Sequence, residues 1–490
     1  MFAQTMSVAM VGAEPRPVRI EAHVGRPSEA FSLVGLPDTS IREAKQRVKA
    51  AILSSGCEFP LRQITVNLSP ADLPKAGSDY DLPIALGVLA ASKVIPSPGR
   101  MIVAGELALD GTVRRSRWAI GAAVLAVERG WPCLVAEADA STAALVPGST
   151  VFAISSLAEA SSVVAGGASP RLAEPKPEDP GIDEIDLADV RGQPRARRAL
   201  EIAAAGGHHL VMIGSPGCGK TMLAQRLPTI LPRLEPDEAV EVACLWASAD
   251  RFRPFTSRPP FRAPHHSASM AAVVGGGNPH PQPGELSLAH GGVLFLDELG
   301  EFPPHLLNAL RQPLEEGTVT IARRGRSVTF PARAQVVGAS NPCPCGFQTD
   351  RVVSCKCPPN EVARYRRRLT GPFLDRFDLR LHMTAPDPDL LLGPPAEDSA
   401  TVKDRVLDAR RTQLERSQKT NSALSRKQLD SLSYDGAALD LVAAAVRKGV
   451  LTGRGADRVR RIARTIADLA HTETVDQVHV GEALSYRGSI

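Results

Sequence analysis

The sequence predicts an α/β protein in which two α/β segments precede a helical C-terminal part. Short runs rich in β-branched residues, at 63–68 and 101–104, alternate with helix-like stretches near the N-terminus. A glycine-rich loop at 214–221 stands between a strand-like run and a helix-like run. From about residue 402 onwards, apolar residues recur at three- and four-residue spacing, which predicts helices there.

Changes in composition divide the chain into domains. Residues 1–165 are expected to form one α/β domain, with helices at 41–53, 81–92 and 119–129. Residues 166–186 are rich in Gly, Pro, Glu and Lys, which is typical of a linker. The remaining expectations are an α/β domain over 187–395, a Pro- and Asp-rich loop over 386–399, and a helical domain over 402–490 with its clearest helices at 437–447 and 456–469.

The bulk composition excludes several classes of protein. With 43% hydrophobic residues the chain can bury sizeable cores, which excludes global disorder. A net charge of +4 is too small to indicate nucleic-acid binding by itself. No apolar run reaches the roughly 18 residues of a membrane span, and the N-terminus lacks the basic start of a secretion signal. Eight cysteines in 490 residues are not a secreted disulfide framework, so we expect a cytoplasmic protein without membrane association.

The glycine-rich loop has the pattern GxxxxGK[ST]. A buried strand is predicted before it at 209–213, and a helix after it at 222–227, ending at Pro228. In this setting backbone N–H groups and the helix N-terminus converge on phosphate oxygens, Lys220 contacts the β- and γ-phosphates, and the Thr221 hydroxyl binds Mg²⁺. ATP and Mg²⁺ are therefore the expected cofactors, and a chance glycine-rich turn is the alternative. The predicted loop residues are Gly214, Ser215, Pro216, Gly217, Cys218, Gly219, Lys220 and Thr221.

A second strand-like run ends in two acids. Four consecutive apolar residues at 293–296 predict a central strand buried on both faces, and Asp297 and Glu298 follow directly. Asp297 would hold Mg²⁺, and Glu298 would activate the attacking water. Acids also begin many helices, so a helix cap is the alternative. The phosphate loop in the same chain favours the catalytic interpretation.

A third strand-like run, 336–340, ends at Asn341. An amide at the end of a buried strand could orient water near the γ-phosphate. Because Asn also favours turns, and Pro342 follows, a turn residue is the alternative.

Longer motifs connect these elements, and they carry a family resemblance. They are FRAPHH at 261–266, GGG at 275–277, PGE at 283–285, SLAHGGVLFLDEL at 287–299, LNALRQPLE at 307–315 and GPFLDRFD at 371–378. With these motifs the chain resembles the magnesium-chelatase-related AAA+ ATPases, and among them the bacterial ComM/YifB family. The resemblance covers nearly the whole chain. It implies an AAA+ P-loop core followed by a helical lid.

The resemblance also implies residues that complete an ATPase site. In the family an arginine of the Asp-Arg-Phe-Asp element, here Arg376, reaches the ATP of the neighbouring subunit. A local ion pair with Asp375 or Asp378 is the alternative. The nucleotide-sensing Ser-x-Arg element of the lid corresponds to Thr452-Gly453-Arg454, which differs at its first position. A site shared between subunits implies a ring, expected to be a homo-hexamer.

The N-terminal domain resembles the ribosomal-S5-like fold found in Lon-type proteases. The segment 70–77 is similar to the stretch before the Lon nucleophile, but Asp79 stands where that serine would be. The position of the general-base lysine falls near Ile120. Neither half of a Ser–Lys dyad is present, so the resemblance implies a non-catalytic module.

Three arginines, Arg323, Arg324 and Arg326, lie between two β-rich arms at 318–322 and 327–330, which predicts a hairpin with a basic tip. Such a tip suits phosphate contacts, so DNA is an expected partner; an ordinary solvated turn is the alternative. Two further basic patches, at 364–368 and 458–464, have helical spacing. They could equally be solvated faces or subunit-interface charges.

Four of the eight cysteines form two CxC pairs, which are Cys343 with Cys345 and Cys355 with Cys357. Four thiols could close a tetrahedral zinc site, and the alternative is four reduced cysteines on a loop. His265 and His266 are distant from them in sequence. We assign these histidines a structural or subunit-contact role in the insert before Asp297.

The combined motifs favour a ring-shaped ATP-driven DNA motor, acting as a helicase or branch-migration factor in recombination or DNA uptake. A chelatase-type or protein-remodelling ATPase is the alternative. The arginine-rich hairpin argues against an unfoldase, which usually grips its substrate with an aromatic pore loop, and the missing dyad argues against a protease.

Overall fold

A computed structural model gives the fold for residues 1–35, 39–73, 75, 77–176, 185–251, 253–277, 281–323, 326–348, 350, 353–368, 373–386 and 388–487. It is a mixed α/β structure, as predicted. The N-terminal strands are β1 (Phe2–Val11), β2 (Glu14–Pro27), β3 (Phe31–Val34), β4 (Arg62–Ser69), β5 (Ile102–Val103), β6 (Glu106–Leu107), β7 (Val113–Arg114), β8 (Cys133–Ala136), β9 (Val151–Ile154) and β10 (Arg171–Leu172). The helices among them are α1 (Thr39–Ser54), α2 (Asp81–Ala91), α3 (Ala119–Arg129), α4 (Glu137–Ala143) and α5 (Leu157–Val164).

The N-terminal unit is built on one mixed sheet with the strand order β10-β9-β8-β5-β1-β2-β4-β3. The long pair β1 and β2 is antiparallel, from Phe2 opposite His23 to Val11 opposite Glu14. Helices α1, α2 and α3 match the predicted ones closely, because their buried faces follow the apolar spacing. Strand β10 pairs with β9, so the sheet continues into the segment predicted to be a linker. Residues 177–184 of that segment lie outside the described ranges.

The central unit follows from residue 187. Its strands are β11 (Leu210–Gly214), β12 (Phe261–Arg262), β13 (Gly275–Gly276), β14 (Gln282–Pro283), β15 (Val293–Leu296), β16 (Thr318–Arg323), β17 (Arg326–Pro331), β18 (Gln335–Ser340) and β19 (Leu379–Met383). Its helices are α6 (Pro194–Gly206), α7 (Lys220–Ile230), α8 (Pro236–Ser248), α9 (Met270–Val273), α10 (Glu285–Leu288), α11 (Pro304–Ala309), α12 (Arg311–Glu316), α13 (Pro359–Arg368) and α14 (Pro388–Leu392).

Five of these strands form a parallel sheet in the order β12-β15-β18-β11-β19. Strands β11, β15 and β18 are buried along their whole length, as expected for a sheet covered on both faces. Because the strands are parallel, their C-terminal ends meet at one edge. The ends of β11, β15 and β18 therefore bring the phosphate loop, Asp297 and Asn341 to the same place.

Two segments differ from the prediction, one in where a helix ends and one in containing a helix. Helix α7 continues through Pro228 to Ile230, because Leu227 and Ile230 are fully buried and stabilise the last turn. The Pro- and Asp-rich segment 386–399, predicted to be a loop, contains the one-turn helix α14. Short polar stretches give no periodicity from which such a turn could be predicted.

The C-terminal part is helical, as predicted, with α15 (Ser399–Ser417), α16 (Arg426–Asp430), α17 (Gly436–Arg447), α18 (Gly453–Leu469) and α19 (Gln477–Ser485). It shares one apolar cluster with the central unit. Leu200 of α6 and Leu223 of α7 belong to the same cluster as Val406 of α15 and Ile462 of α18. These helices therefore pack directly on the side of the sheet that carries the phosphate loop helix.

The N-terminal and central units also contact each other. Arg117 bonds to Asp250 at 2.8 Å, next to the end of α8. Ala13, in the turn between β1 and β2, packs on the apolar cluster that includes the hairpin residue Val328. Within the described ranges, no helix is both long and apolar enough to cross a membrane.

Candidate active site

The phosphate loop connects buried strand β11 to helix α7. Gly219, which precedes α7, has a φ of 93°, a conformation that residues with a side chain rarely adopt. The loop folds around the Lys220 ammonium, whose Nζ donates to the carbonyl oxygens of Gly214 at 2.6 Å and Ser215 at 3.0 Å. Burial lowers the pKa of Lys220. The arrangement presents backbone N–H groups and a cation at the N-terminus of a helix, which is the geometry of an anion site.

Residues from the two neighbouring strands close around this loop. The Thr221 hydroxyl donates to Asp297 Oδ2 at 2.9 Å, and Lys220 Nζ donates to Asn341 Oδ1 at 3.1 Å. Sequence positions 220, 221, 297 and 341 thus form one constellation. A hydroxyl and a carboxylate together offer the oxygen ligands that Mg²⁺ prefers. Glu298 is the N-cap of the following turn but makes no capping hydrogen bond through its side chain.

Glu298 has an unusual backbone. Its φ of 51° lies in the left-handed region, and its N–H donates to Asp297 Oδ1 at 2.9 Å. Residues other than glycine held in this region concentrate at functional sites. The conformation directs the half-exposed carboxylate towards His266, whose Nδ1 lies 2.9 Å from Glu298 Oε2.

His266, to which the sequence assigned only a structural or subunit-contact role, contacts the Glu298 carboxylate directly. It follows strand β12, and its ring lies against that of His265, with 4.1 Å between the ring centres. The His265 Nδ1 in turn contacts the Ser267 hydroxyl at 2.7 Å. In the sequence, only its position just after a short strand could have indicated a role for His266. Its position beside Glu298 depends on the pairing of β12 with β15.

Arg376 lies away from this constellation, in the single turn Leu374–Arg376 that precedes β19. Its local ion pair is with Glu315 on α12 and not with Asp375 or Asp378, which were the partners of the alternative interpretation. Asp375 contacts Arg380 at 3.4 Å. Asp378 is buried and pairs with His208 Nδ1 at 2.9 Å.

Arg454 lies in the first turn of α18, whose N-cap is Thr452. The Thr452 hydroxyl accepts from the Gly455 N–H at 3.2 Å, so threonine performs the capping that serine would perform at this position. One turn later, Arg458 contacts Asp378 at 3.5 Å. Burial, followed by the charges of Arg311, Arg458 and Arg454, lowers the pKa of Arg376. Arg376 and Arg454 therefore belong to one cationic region.

The predicted hairpin is present. Strands β16 and β17 are antiparallel from Thr318 opposite Pro331 to Arg323 opposite Arg326. Three of its own side chains are buried, those of Val319, Ile321 and Phe330. Arg324 lies outside the described residues, and the backbone of the arm ends with Arg323 opposite Arg326.

The other two basic patches have different surroundings. In the C-terminal patch the arginines are largely paired internally: Arg464 is buried and contacts Asp468 at 3.0 Å, while Arg460 contacts Asp430 at 2.8 Å. The patch on α13 is more exposed, with Arg366 donating to Gln348 and Arg368 lying 3.8 Å from Glu301. The C-terminal patch is therefore mainly structural.

The four clustered cysteines meet beside Asn341. Their sulfur atoms all lie within 4.8 Å of one another, and all four are free thiols. Hydrogen bonds from the backbone N–H groups of Phe347 and Lys356 lower the pKa of Cys345 to about 6.

In the N-terminal unit, Asp79 is buried just before α2, against the segment that leads into α3. It accepts from the Ser116 hydroxyl at 2.7 Å and from Arg117 at 3.2 Å, and burial raises its pKa. Ile120 lies in the first turn of α3, four residues after Ser116. The two positions where a Ser–Lys dyad would be expected are therefore close in space, and they hold a paired carboxylate and an isoleucine.

A cavity of about 480 Å³ opens beside the phosphate loop, between the segment before α6 and the start of α15. Gln193 lies in its wall and donates to the carbonyl oxygens of Cys218 at 3.2 Å and Thr384 at 2.8 Å. Gln193 was not singled out in the sequence. It links this cavity to the phosphate loop.

A parallel sheet with a phosphate loop on one strand, and acids and an amide on its neighbours, is the arrangement of P-loop nucleotide-binding proteins. Family models match the chain in three consecutive stretches: subunit ChlI of Mg-chelatase at 20–139, magnesium chelatase subunit ChlI at 186–390, and the ChlI C-terminal part at 396–487.

Full-length relatives extend this match. The Escherichia coli protein YifB is 42% identical, covering 98% of this chain and 96% of its own. The Haemophilus influenzae competence protein ComM is 41% identical, covering 100% of this chain and 98% of its own. A rice protein named as a probable DNA helicase, MCM9, is 25% identical over 41% of this chain and 23% of its own. The chain therefore belongs to the ComM/YifB family of magnesium-chelatase-related AAA+ proteins, and this membership implies the use of ATP and Mg²⁺.

Proposed function

We propose that the chain forms a homo-hexameric ring that hydrolyses Mg-ATP at its subunit interfaces and moves on DNA in the cytoplasm, as a helicase or branch-migration factor. The observation that carries the ATPase part is the convergence of Lys220, Thr221, Asp297 and Asn341 at one edge of the sheet. The DNA part rests on the basic hairpin and on two relatives, one named as a competence protein and one as a probable DNA helicase.

Within one subunit, Lys220 would bind the β- and γ-phosphates in place of its present carbonyl and amide partners. Thr221 and Asp297, already 2.9 Å apart, would hold Mg²⁺, which neutralises phosphate charge when it is bound. Glu298 would accept a proton from the attacking water, and Asn341 would orient that water. The left-handed backbone of Glu298 supports its role because it sets the carboxylate apart from Asp297.

His266 would act as a positioning residue for Glu298, since its ring nitrogen contacts the carboxylate directly. Replacing His266 with Ala is expected to lower kcat for ATP hydrolysis about ten- to hundredfold, because a displaced catalytic group loses its alignment with the reacting atoms. Affinity for a fluorescent ATP analogue should stay near the wild-type value. His266→Asn should restore part of the rate, because its amide can donate from nearly the same position as Nδ1.

The control is His305→Ala, which removes an exposed histidine on α11. A His266→Ala variant as active as this control would show that the contact does not position Glu298. A rate increase in His266→Ala would also contradict the assignment, because it would identify the contact as inhibitory.

Arg376 would serve the ATP of the neighbouring subunit, and Arg454 would sense the nucleotide from the lid. Strand β19 runs parallel to β11, with Leu379 opposite Leu210 and Met383 opposite Gly214. The end of β19 near Arg376 is therefore about 13 Å from the phosphate-loop end of the sheet, and Arg376 lies three residues further away. This separation favours action in trans, and a heterologous contact of one face with another generates a ring.

The remaining parts of the chain are assigned by the same reasoning. The cavity lined by Gln193 would take the adenine base, because it adjoins the phosphate loop. Residues 402–490 would form the helical lid of the AAA+ core, with residues 187–395 as that core. Residues 1–165 would be an S5-like domain without catalysis, joined by the 166–186 segment and used for assembly or substrate engagement.

The DNA contact would be made by the hairpin tip. Replacing Arg323, Arg324 and Arg326 with Ala should weaken single-stranded DNA binding about tenfold or more, because cation–phosphate contacts are lost. The salt dependence should flatten by about 0.7 in the log–log slope for each lost contact. DNA-stimulated ATP hydrolysis should fall in parallel, while the basal rate and nucleotide affinity should be retained.

The matched control replaces three exposed arginines of the C-terminal helices with Ala, namely Arg411, Arg426 and Arg447. It removes the same charge at other positions. Equal loss of DNA affinity in both variants would contradict a specific hairpin contact. Failure of the wild-type protein to bind DNA at low salt would overturn the DNA part of the proposal.

A chelatase-type or protein-remodelling role is the second candidate, and the descriptions of the matching family models favour it. Such an ATPase acts on a partner protein rather than on DNA. ATP hydrolysis that is indifferent to single-stranded DNA would support this candidate over the motor.

A further inference from the structure

We propose that Cys343, Cys345, Cys355 and Cys357 bind one Zn²⁺ ion in a closed tetrahedral site, and that this site fixes Asn341 against the phosphate loop. The metal site is independent of the proposed function. Only its effect on nucleotide chemistry rests on the proposed ATPase.

The sulfur positions fit zinc and not disulfides. The Sγ–Sγ distances are 3.4 Å for Cys343–Cys345, 3.7 Å for Cys343–Cys355 and 3.6 Å for Cys345–Cys355. A disulfide would need about 2.05 Å. Four thiolates about 2.3 Å from a tetrahedral zinc ion lie roughly 3.8 Å apart, close to the observed spacing. Cys343 is fully buried and the other three are half-buried, so the sulfurs converge on an enclosed point.

The backbone around the thiols provides hydrogen-bond donors to the sulfur atoms, which a zinc–thiolate site also needs. The Cys345 N–H donates to Cys357 Sγ at 3.3 Å. N–H···S hydrogen bonds disperse the negative charge of metal-bound thiolates and fix their orientation. The tight turn needed by a CxC pair is present as well, since Gly346 follows Cys345 with a φ of 84°.

The position of the cluster connects it to the nucleotide site. Cys343 follows Asn341 by two residues, and the Asn341 amide accepts from Lys220. On the other side, Gly346 touches the phosphate loop so closely that a side chain there would lie 2.6 Å from Cδ of Pro216. The chain then enters α13, where the Tyr365 hydroxyl lies 3.2 Å from the Ser340 hydroxyl. Both ends of the cysteine segment are thus attached to the strand that carries Asn341.

A long loop between these two attachments would cost conformational entropy to hold in place. A metal ion that joins its two cysteine pairs removes most of that freedom. We therefore expect zinc to determine how firmly Asn341 and Pro216 are held, and to affect ATP hydrolysis more than ATP binding.

The metal is tested on the full chain purified under reducing conditions without chelators. Elemental analysis should find about one zinc per chain. Chemical modification of the cluster thiols should release zinc in proportion to the number of thiols modified. Cys345→Ser combined with Cys357→Ser should bind no zinc, whereas Cys57→Ser, outside the cluster, should keep it. If the double variant does not fold, Cys357→His, which retains four ligands, should fold and bind zinc. A wild-type protein that stays metal-free after incubation with Zn²⁺ and dialysis overturns the site.

The effect on the nucleotide site is tested by comparing zinc-loaded with zinc-stripped protein. Stripping should reduce kcat for ATP hydrolysis about ten- to hundredfold, with a smaller change in affinity for a fluorescent ATP analogue. Readdition of Zn²⁺ should restore the rate. Equal rates before and after stripping would overturn the positioning role. Zinc-loaded protein with no ATP hydrolysis would instead contradict the proposed function, because metal content is read independently of activity.

Discussion

Replacing Glu298 with Gln is expected to reduce steady-state ATP hydrolysis about 10²- to 10⁴-fold while leaving ATP binding intact. Gln keeps the size and hydrogen-bonding capacity of the side chain but cannot accept the proton of the attacking water. Lys220, Thr221 and Asp297, which would bind the phosphates and Mg²⁺, are unchanged. The measurement is phosphate release at saturating ATP, together with the affinity for a fluorescent ATP analogue.

The control for this variant is Glu301→Gln, three residues further along. Glu301 is partly exposed and lies 3.8 Å from Arg368, away from the Thr221–Asp297 pair. It should hydrolyse ATP at close to the wild-type rate. A Glu298→Gln variant that hydrolyses ATP as fast as Glu301→Gln would remove Glu298 from the mechanism and leave its left-handed backbone without a catalytic explanation.

Replacing Arg376 with Ala is expected to lower kcat about 10³- to 10⁵-fold, because an arginine that neutralises transition-state charge makes a contribution of this size. Loss of its pair with Glu315 is a minor effect, since the Glu315 carboxylate is half exposed. Arg411→Ala is the matched control, because Arg411 is exposed on α15 and forms an ion pair with Asp408 of the same helix. Phosphate release is again the measurement.

A mixing experiment separates action in trans from action in cis. In a ring assembled from equal amounts of Arg376→Ala and Glu298→Gln subunits, about one quarter of the interfaces combine an intact Glu298 with an intact Arg376. Activity should therefore reappear in the mixture, although each variant alone is nearly inactive. A mixture that is no more active than the sum of its components would contradict a shared site.

Much of the nucleotide site could be predicted from the chain alone, because its signals are local. The GxxxxGK[ST] pattern fixes Lys220 and Thr221 relative to a strand and a helix. The apolar run before Asp297 and the one before Asn341 each predict a buried strand. Parallel strands bring such endings to one edge, and in the structure Lys220 contacts Asn341 there.

Other features depended on pairing between distant segments. The contact of His266 with Glu298 requires β12 to lie beside β15, and two-residue strands leave no periodic signal. The Glu315 partner of Arg376 depends on how α12 packs beside the turn before β19. The buried ion pairs of the C-terminal arginines could not be predicted either, because helical spacing alone does not distinguish an exposed face from one packed against neighbouring helices.

The sequence by itself determined the class of the protein, the residues of the phosphate loop and the two acids, since each needs only short-range spacing and residue chemistry. Tertiary structure alone decided that Arg376 pairs with Glu315, that a histidine contacts Glu298, and that four cysteines converge beside Asn341. These relations are set by the order and direction of strands in the parallel sheet. That order arises from the packing of segments far apart in the chain, which local patterns do not encode.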